Sequence, residues 1–215
     1  MIFLKENYQK KLDEIIAYNQ RNNSIPSLLL HSCCAPCSSY CIEYLSQYFD
    51  ITLYFYNPNI SYKEEFTKRA DELTRLINSM PLARKVNLVI EHFNPNEFYE
   101  IAKGLEKEPE RGARCEKCFY LRLKQTAQYA KSYNYDYFST TLSISPHKDA
   151  QLLNKLGEKI SSIYNVNYLF SDFKKKNGYK RSIELSNEYD LYRQNYCGCI
   201  YSKQASEENN KKENV

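Results

Sequence analysis

Apolar and polar positions along the chain alternate between a helical and a strand-like period. Residues 5–20 place Leu12, Ile15 and Ile16 on one face of an amphipathic helix. Ser27-Leu28-Leu29-Leu30-His31 is a short, continuously apolar run that predicts a buried strand, and it ends in a cysteine-rich turn. After Pro36 a helix is expected over 38–48, then a second strand over 51–56 closed by the turn Asn57-Pro58-Asn59. Phe66, Ala70, Leu73 and Ile77 recur at three- and four-residue intervals and predict a helix over 62–78. Residues 86–91 read as a third strand, and Asn94-Pro95-Asn96-Glu97 opens the next helix with Pro in its first turn. Gly104, Pro109 and Gly112 among charges mark 103–113 as an exposed loop. Further helices are expected over 115–133, from Ser145-Pro146 to about residue 160, and over 179–188. Strands at 135–139 and 168–170 lie between them. The end, 202–215, is polar with zero net charge and reads as disordered.

Strands alternating with helices of this length specify an α/β fold: a Rossmann-like parallel sheet with helices on both faces. The expected organisation is an N-terminal helix over 1–22, one domain over 23–201, and the tail. In such folds ligands bind beyond the carboxyl ends of the strands. Cys33 follows the first strand directly, so the expected chemistry falls at that edge.

With 42% hydrophobic residues in 215, the chain can bury a real core, which argues against wholesale disorder. No stretch approaches the roughly 20 apolar residues needed to cross a bilayer, and no membrane partner is expected. The first residues carry charges inside their apolar pattern and no small-residue cleavage site, so the expected location is the cytoplasm. Eight cysteines in that reducing compartment read as metal ligands or redox thiols rather than as a disulfide framework. The net charge of +4 conceals a distribution. Residues 103–131 hold eight basic against four acidic residues, and residues 174–181 hold five basic and none acidic. Focused positive charge suits a polyanion such as RNA; solvated helix faces are the bland alternative.

The cysteines fall into three groups: Cys33-Cys34-x-x-Cys37-x-x-x-Cys41, Cys115-x-x-Cys118 and Cys197-Gly198-Cys199. A lone C-x-x-C is weak, but three thiol groups at element ends in one domain point to a thiolate-rich centre. Four thiolates suit zinc or an iron–sulfur cluster. Adjacent Cys33-Cys34 makes a poor zinc knuckle, and spare thiols beyond four suit electron transfer, so iron–sulfur is favoured over zinc. Cys41, inside a helix, reads as a core residue, and Cys37 is undecided. Cys197-Gly198-Cys199 reads either as a reversible dithiol, since a disulfide closing so tight a ring is strained and easily reduced, or as two further ligands.

Several segments together resemble the QueH family of epoxyqueuosine reductases. They are Leu28-Leu29-Leu30-His31-Ser32-Cys33-Cys34-Ala35-Pro36, Tyr56-Asn57-Pro58-Asn59-Ile60, Arg114-Cys115-x-x-Cys118-x-x-x-Arg122-Leu123, Thr140-Thr141-Leu142 with Ser145-Pro146, and Leu191-Tyr192-Arg193-Gln194-x-Tyr196-Cys197-Gly198-Cys199. The resemblance runs from about residue 27 to 202. It implies reductive removal of the epoxide oxygen from epoxyqueuosine at the tRNA wobble position, the last step of queuosine biosynthesis, on a fold related to the adenine-nucleotide alpha-hydrolases. It further implies that Cys33, Cys34, Cys115 and Cys118 hold a [4Fe-4S] cluster and that Cys197 and Cys199 are the redox pair. A second, mononuclear iron is associated with the family, and Cys37 is a candidate ligand for it. The electron donor is not identified.

Around these, His31 and Asp172 are candidate proton donors or ligands, each with a plain structural alternative. His92 and His147 read as helix-start residues. Lys174, Lys175, Lys176, Lys180, Arg181 and Arg193 are candidate phosphate contacts. Two competing functions are a different metal-dependent tRNA-modifying enzyme and a structural-zinc RNA-binding protein. A sulfur-inserting enzyme would want a Ser-Gly-Gly-type ATP loop after the first strand, where this chain has His31-Ser32-Cys33-Cys34-Ala35-Pro36.

Overall fold

In the computed structural model, which describes residues 6–213, five parallel strands form one sheet. They are β1 (Ser27–His31), β2 (Asp50–Phe55), β3 (Asn87–Ile90), β4 (Tyr137–Thr140) and β5 (Asn167–Tyr168), in the order 3-2-1-4-5. β1 lies at the centre, with Leu29 opposite Thr52 on one side and Phe138 on the other. Its run of three leucines follows from that position, because a central parallel strand is covered on both faces. Leu28 and Leu30 join the core that also holds Ile51, Leu53 and Phe55, whereas Leu29 joins Tyr54 and Phe138 on the opposite face.

The first core is covered by α1 (Tyr8–Arg21), α2 (Ala35–Leu45), α3 (Lys63–Ser79) and α7 (Gly178–Glu188). The second is covered by α5 (Ala113–Ser132) and α6 (Ala150–Tyr164). Gly157 of α6 is fixed by close approach: a Cβ there would stand 2.3 Å from the Tyr168 ring of β5. A short helix, α4 (Asn96–Ala102), packs through Phe98 and Ala102 against Cys118 and Cys199. The strand order reverses beside β1, between β2 and β4, so the crevice for a ligand lies at the carboxyl ends of β1 and β4. Cys33 leaves β1 at that point.

Three expectations are corrected. The helix expected from Ser145-Pro146 begins at Ala150. Thr141–Ile144 form a 3₁₀ turn instead, and the Asp149 carboxylate caps α6 by accepting from the Gln151 and Leu152 amides. The strand expected over 168–170 is only Asn167–Tyr168. The tail expected to be disordered is the helix α8 (Ile200–Glu213), with three Glu and three Lys and no Gly or Pro. Its first turn is tied to the site through Ser202. Residues 1–5 of the N-terminal helix reading and 214–215 of the tail reading lie outside the described residues. None of the described helices is long and apolar enough to cross a membrane.

Candidate metal and redox centre

Cys33 and Cys34 occupy the turn between β1 and α2. Cys34 is fully extended (φ −174°, ψ 163°), and the helix starts at the next residue with Pro36 in its first turn. The abrupt change from strand to helix folds Cys37 back over the two preceding thiols. The sulfurs of Cys33, Cys34 and Cys37 all lie within 4.8 Å of one another, and Cys33 and Cys34 are 3.6 Å apart. Two sulfurs on one ion stand at most about 4.6 Å apart, twice a metal–thiolate bond of about 2.3 Å, so this cluster can bind a single metal. The turn is held from beneath: the Ser38 hydroxyl donates to the Cys34 carbonyl, and Asn57 Nδ2 donates to the Ser32 carbonyl at 2.8 Å. Cys41, one helical turn on, is buried in the core and donates its thiol to the Cys37 carbonyl, as a packing residue should.

Cys115 and Cys118 stand three residues apart on the first turns of α5. Cys197-Gly198-Cys199 reaches them from the far end of the chain, and the four thiols line one small cavity with Phe98, Phe119 and Lys148. Gly198 carries φ +122°, and a Cβ there would meet Ile60 Cγ1 at 3.0 Å. The loop is pinned from several directions. Arg69 Nη1 donates to the Cys197 carbonyl at 3.1 Å, the Ser61 amide donates to the Gly198 carbonyl, and the Cys197 amide donates to Ser202 Oγ. Three of the four sulfurs also accept N–H donors. Arg111 N donates to Cys115 Sγ at 3.3 Å, Ser202 N to Cys199 Sγ at 3.3 Å, and Lys148 Nζ to Cys197 Sγ at 3.6 Å. Among the described residues, no three of these four sulfurs close to within 4.8 Å of one another. As placed, they do not converge on a single ion.

The structure therefore brings together Cys33, Cys34 and Cys37 in one group, and Cys115, Cys118, Cys197 and Cys199 in another. All eight cysteines are free thiols. A larger cavity of about 530 Å³ links the groups, with Cys33, Cys37 and Cys197 in its wall.

Buried cations surround the thiols. Arg122 is 1% exposed; its Nη1 donates to the Asn57 and Asn59 side-chain oxygens, both at 3.2 Å, while Nε and Nη2 have no hydrogen-bond partner. Lys148, its side chain 8% exposed, pairs with Glu110 at 3.3 Å. Burial pulls the Lys148 ammonium down, but Cys197 and Glu110 outweigh it and hold it up. Arg69 pairs with Glu65. Hydrogen bonds from Cys33 and Cys37, with the Arg69 charge nearby, hold the Cys34 thiol well below its usual range; the shared hydrogen bond pushes Cys33 up to about 12 in return. Burial pushes Cys118 up to about 12 and Cys199 up to about 11. A soft donor set ringed by buried positive charge, with two orphaned N–H groups on Arg122, fits a thiolate-bound iron–sulfur centre of net negative charge.

His31 is fully buried, and burial pushes it down to about 3. Its Nδ1 pairs with Thr140 Oγ1 at 2.9 Å, and its Nε2 donates to the Tyr56 carbonyl at 3.1 Å. The neutral ring is a strut between β1, β4 and the turn after β2, with neither nitrogen free to deliver a proton. Asp172 is engaged by Lys174 at 3.1 Å and lines neither thiol-bearing cavity. Lys174 also donates to the Ser143 carbonyl, Lys176 pairs with Asp13, Lys180 lies 4.0 Å from Glu184, and Arg181 pairs with Glu43. Lys175 is exposed, and Arg193 is exposed in the wall of the larger cavity. Sequence reasoning gave no role to Arg69, Arg122 or Lys148. Arg122 carried a faint signal, four residues after Cys118 on the same helix; Lys148 carried none.

A parallel doubly wound sheet bearing a thiolate-rich, cation-lined centre at its switch point defines an α/β protein built for metal or redox chemistry. The family model described as "Epoxyqueuosine reductase QueH" matches residues 28–205. Proteins named epoxyqueuosine reductase QueH are similar to this chain. That of Staphylococcus epidermidis is 46% identical over 202 residues, covering 92% of this chain and 85% of the relative. That of Streptococcus pyogenes serotype M1 is 44% identical (92% and 78% covered), and that of Thermotoga maritima 34% identical (82% and 90% covered). The chain belongs to the QueH family of epoxyqueuosine reductases and is an oxidoreductase.

Proposed function

We propose that this protein reduces epoxyqueuosine to queuosine at the wobble position of a tRNA anticodon. The observation that carries the reading is the cavity of about 530 Å³ at the switch point, which presents Cys33, Cys37 and Cys197 beside Arg122. Its size suits one nucleoside turned out of a loop, and single-stranded loops are where proteins reach RNA bases. The reaction takes two electrons and two protons, converts the epoxide to an alkene, and releases the oxygen as water.

The donor geometry favours a [4Fe-4S] cluster among Cys115, Cys118, Cys197 and Cys199, and a single iron among Cys33, Cys34 and Cys37. This regroups the ligands that the family resemblance implies, and it takes Cys197 and Cys199 as ligands rather than as a dithiol. When bound, the metals supply electrons one at a time, drawn from an external donor, and a Lewis acid for the epoxide oxygen. The chain's own residues do the rest. Leu142, Ile144 and Pro146 give the cavity an apolar patch against which a base can pack, among polar and charged neighbours. Lys148 holds a proton on Nζ where the cavity meets Cys197, and is placed to pass it to the departing oxygen. Glu110, 3.3 Å away, orients that ammonium.

The test is anaerobic preparation, iron and acid-labile sulfide analysis, and nucleoside analysis of epoxyqueuosine-bearing tRNA after incubation with a low-potential reductant. Queuosine formed by iron- and sulfide-containing protein is the expected result. Protein replete in both that leaves epoxyqueuosine unchanged overturns the reading, and zinc without sulfide favours a structural-zinc RNA-binding protein.

A further inference from the structure

The strongest unexplained group in the molecule is Arg122. It lies on the face of α5 that carries Cys115 and Cys118, is 1% exposed, and donates through Nη1 alone, to two neutral amide oxygens. Its Nε and Nη2 are out of solvent and unpartnered. Among the described residues no carboxylate pairs with it. A buried guanidinium without a counter-charge is costly, and proteins retain one only where something balances it. Both sulfur groups stand around Arg122: Cys33 and Cys197 share the wall of the larger cavity with it, and Cys115 and Cys118 precede it on α5. Asn57 and Asn59 hold the guanidinium in place from the turn after β2.

We propose that Arg122 is a positioning residue that supplies the balancing charge between the two sulfur groups and so sets the reduction potential of the iron–sulfur centre. The inference rests on the metal-dependent reading above. On one-electron reduction the centre gains one negative charge. A fixed cation beside it stabilises that reduced form, and N–H donors to cluster sulfurs act in the same direction. Neutralising the cation should therefore make the centre harder to reduce.

The test uses cluster-containing wild type, Arg122→Gln and Arg122→Lys, titrated anaerobically against a chemical reductant with visible and EPR detection of the cluster. At a fixed potential on the wild-type midpoint, Arg122→Gln should show at least a tenfold lower ratio of reduced to oxidised cluster, a shift of about 59 mV for one electron. Arg122→Lys keeps the charge but loses the planar fork, and should shift less in the same direction. A wild-type midpoint in cluster-loaded Arg122→Gln overturns the inference. If Gln prevents cluster loading while Lys permits it, the charge requirement stands. If both variants lose iron and melt alike, Arg122 is a packing residue and the inference fails. Wild-type protein that never holds sulfide would instead sink the metal-dependent reading itself.

Discussion

The two sulfur groups are built in opposite ways. Cys33, Cys34 and Cys37 come from five consecutive residues, and one strand-to-helix turn brings them within 4.8 Å. Cys115, Cys118, Cys197 and Cys199 meet only because the segment carrying Cys197 and Cys199 is stapled onto the turn after β2 by Ser61 and onto α3 by Arg69. The first group opens on the large cavity through Cys33 and Cys37; the second reaches it through Cys197 alone and otherwise sits between Phe98 and Phe119. On the proposed reading, a local group open to the larger cavity and a more enclosed group rich in N–H···S bonds suit two different duties, contact with the reacting oxygen and storage of electrons. They should also fail differently.

The largest expected effect follows from separating them. Cys118→Ser should remove acid-labile sulfide and its visible absorption, whereas Cys34→Ser should remove about one iron and leave sulfide in place. Both should lose activity beyond the tenfold to hundredfold typical of outer-shell changes at metal sites. Metal and sulfide analysis on the same preparations reads the difference. Equal loss of sulfide in both variants would mean that one cluster draws on both groups, as the family resemblance implies.

A smaller effect is expected from the staple. Gly198→Ala places a side chain at φ +122° and 3.0 Å from Ile60 Cγ1, a strain of about 1–3 kcal/mol. It should lower thermal stability and loosen Cys197 and Cys199 without disturbing Cys33, Cys34 and Cys37. Retained stability with full sulfide would show that the loop relaxes freely and is not held as described.

The two groups also differ in how far they could be read from sequence. The turn after β1 was legible, because the run Ser27–His31 fixes the strand and adjacent cysteines in a strand-to-helix turn can only be near each other. The pairing of Cys197 and Cys199 with Cys115 and Cys118 was not. It depends on contacts made by Arg69 and Ser61, whose side chains carry no pattern of their own. The start of α6 was misplaced because Ser145-Pro146 looks like a helix opening, yet the carboxylate of Asp149 accepts two amides and wins the cap. The tail failed for a related reason: its polarity suggested disorder, while good helix formers and the tie of Ser202 to Cys197 make a helix.

The smallest effect concerns the basic run, which looked uniform in sequence and is divided in the structure. Lys176 and Arg181 are paired with Asp13 of α1 and Glu43 of α2, and Lys174 is turned inward onto the Ser143 carbonyl. A cation already paired with a carboxylate releases few counterions when it meets phosphate, so its removal should hardly change the salt dependence of RNA binding. Lys175 is exposed, and Arg193 stands at the cavity wall with, among the described residues, only Ser186 Oγ as its partner, at 2.9 Å. Arg193→Ala and Lys175→Ala should each weaken tRNA binding severalfold and reduce the slope of log K against log salt by about one. Lys176→Ala and Arg181→Ala should leave the slope unchanged, although Arg181→Ala frees Glu43 and lowers stability slightly. Filter binding or fluorescence titration at three salt concentrations reads all four. Equal slopes across the four variants would show that the internal pairs open when RNA binds, and would place the anticodon stem along α7 rather than at the cavity mouth.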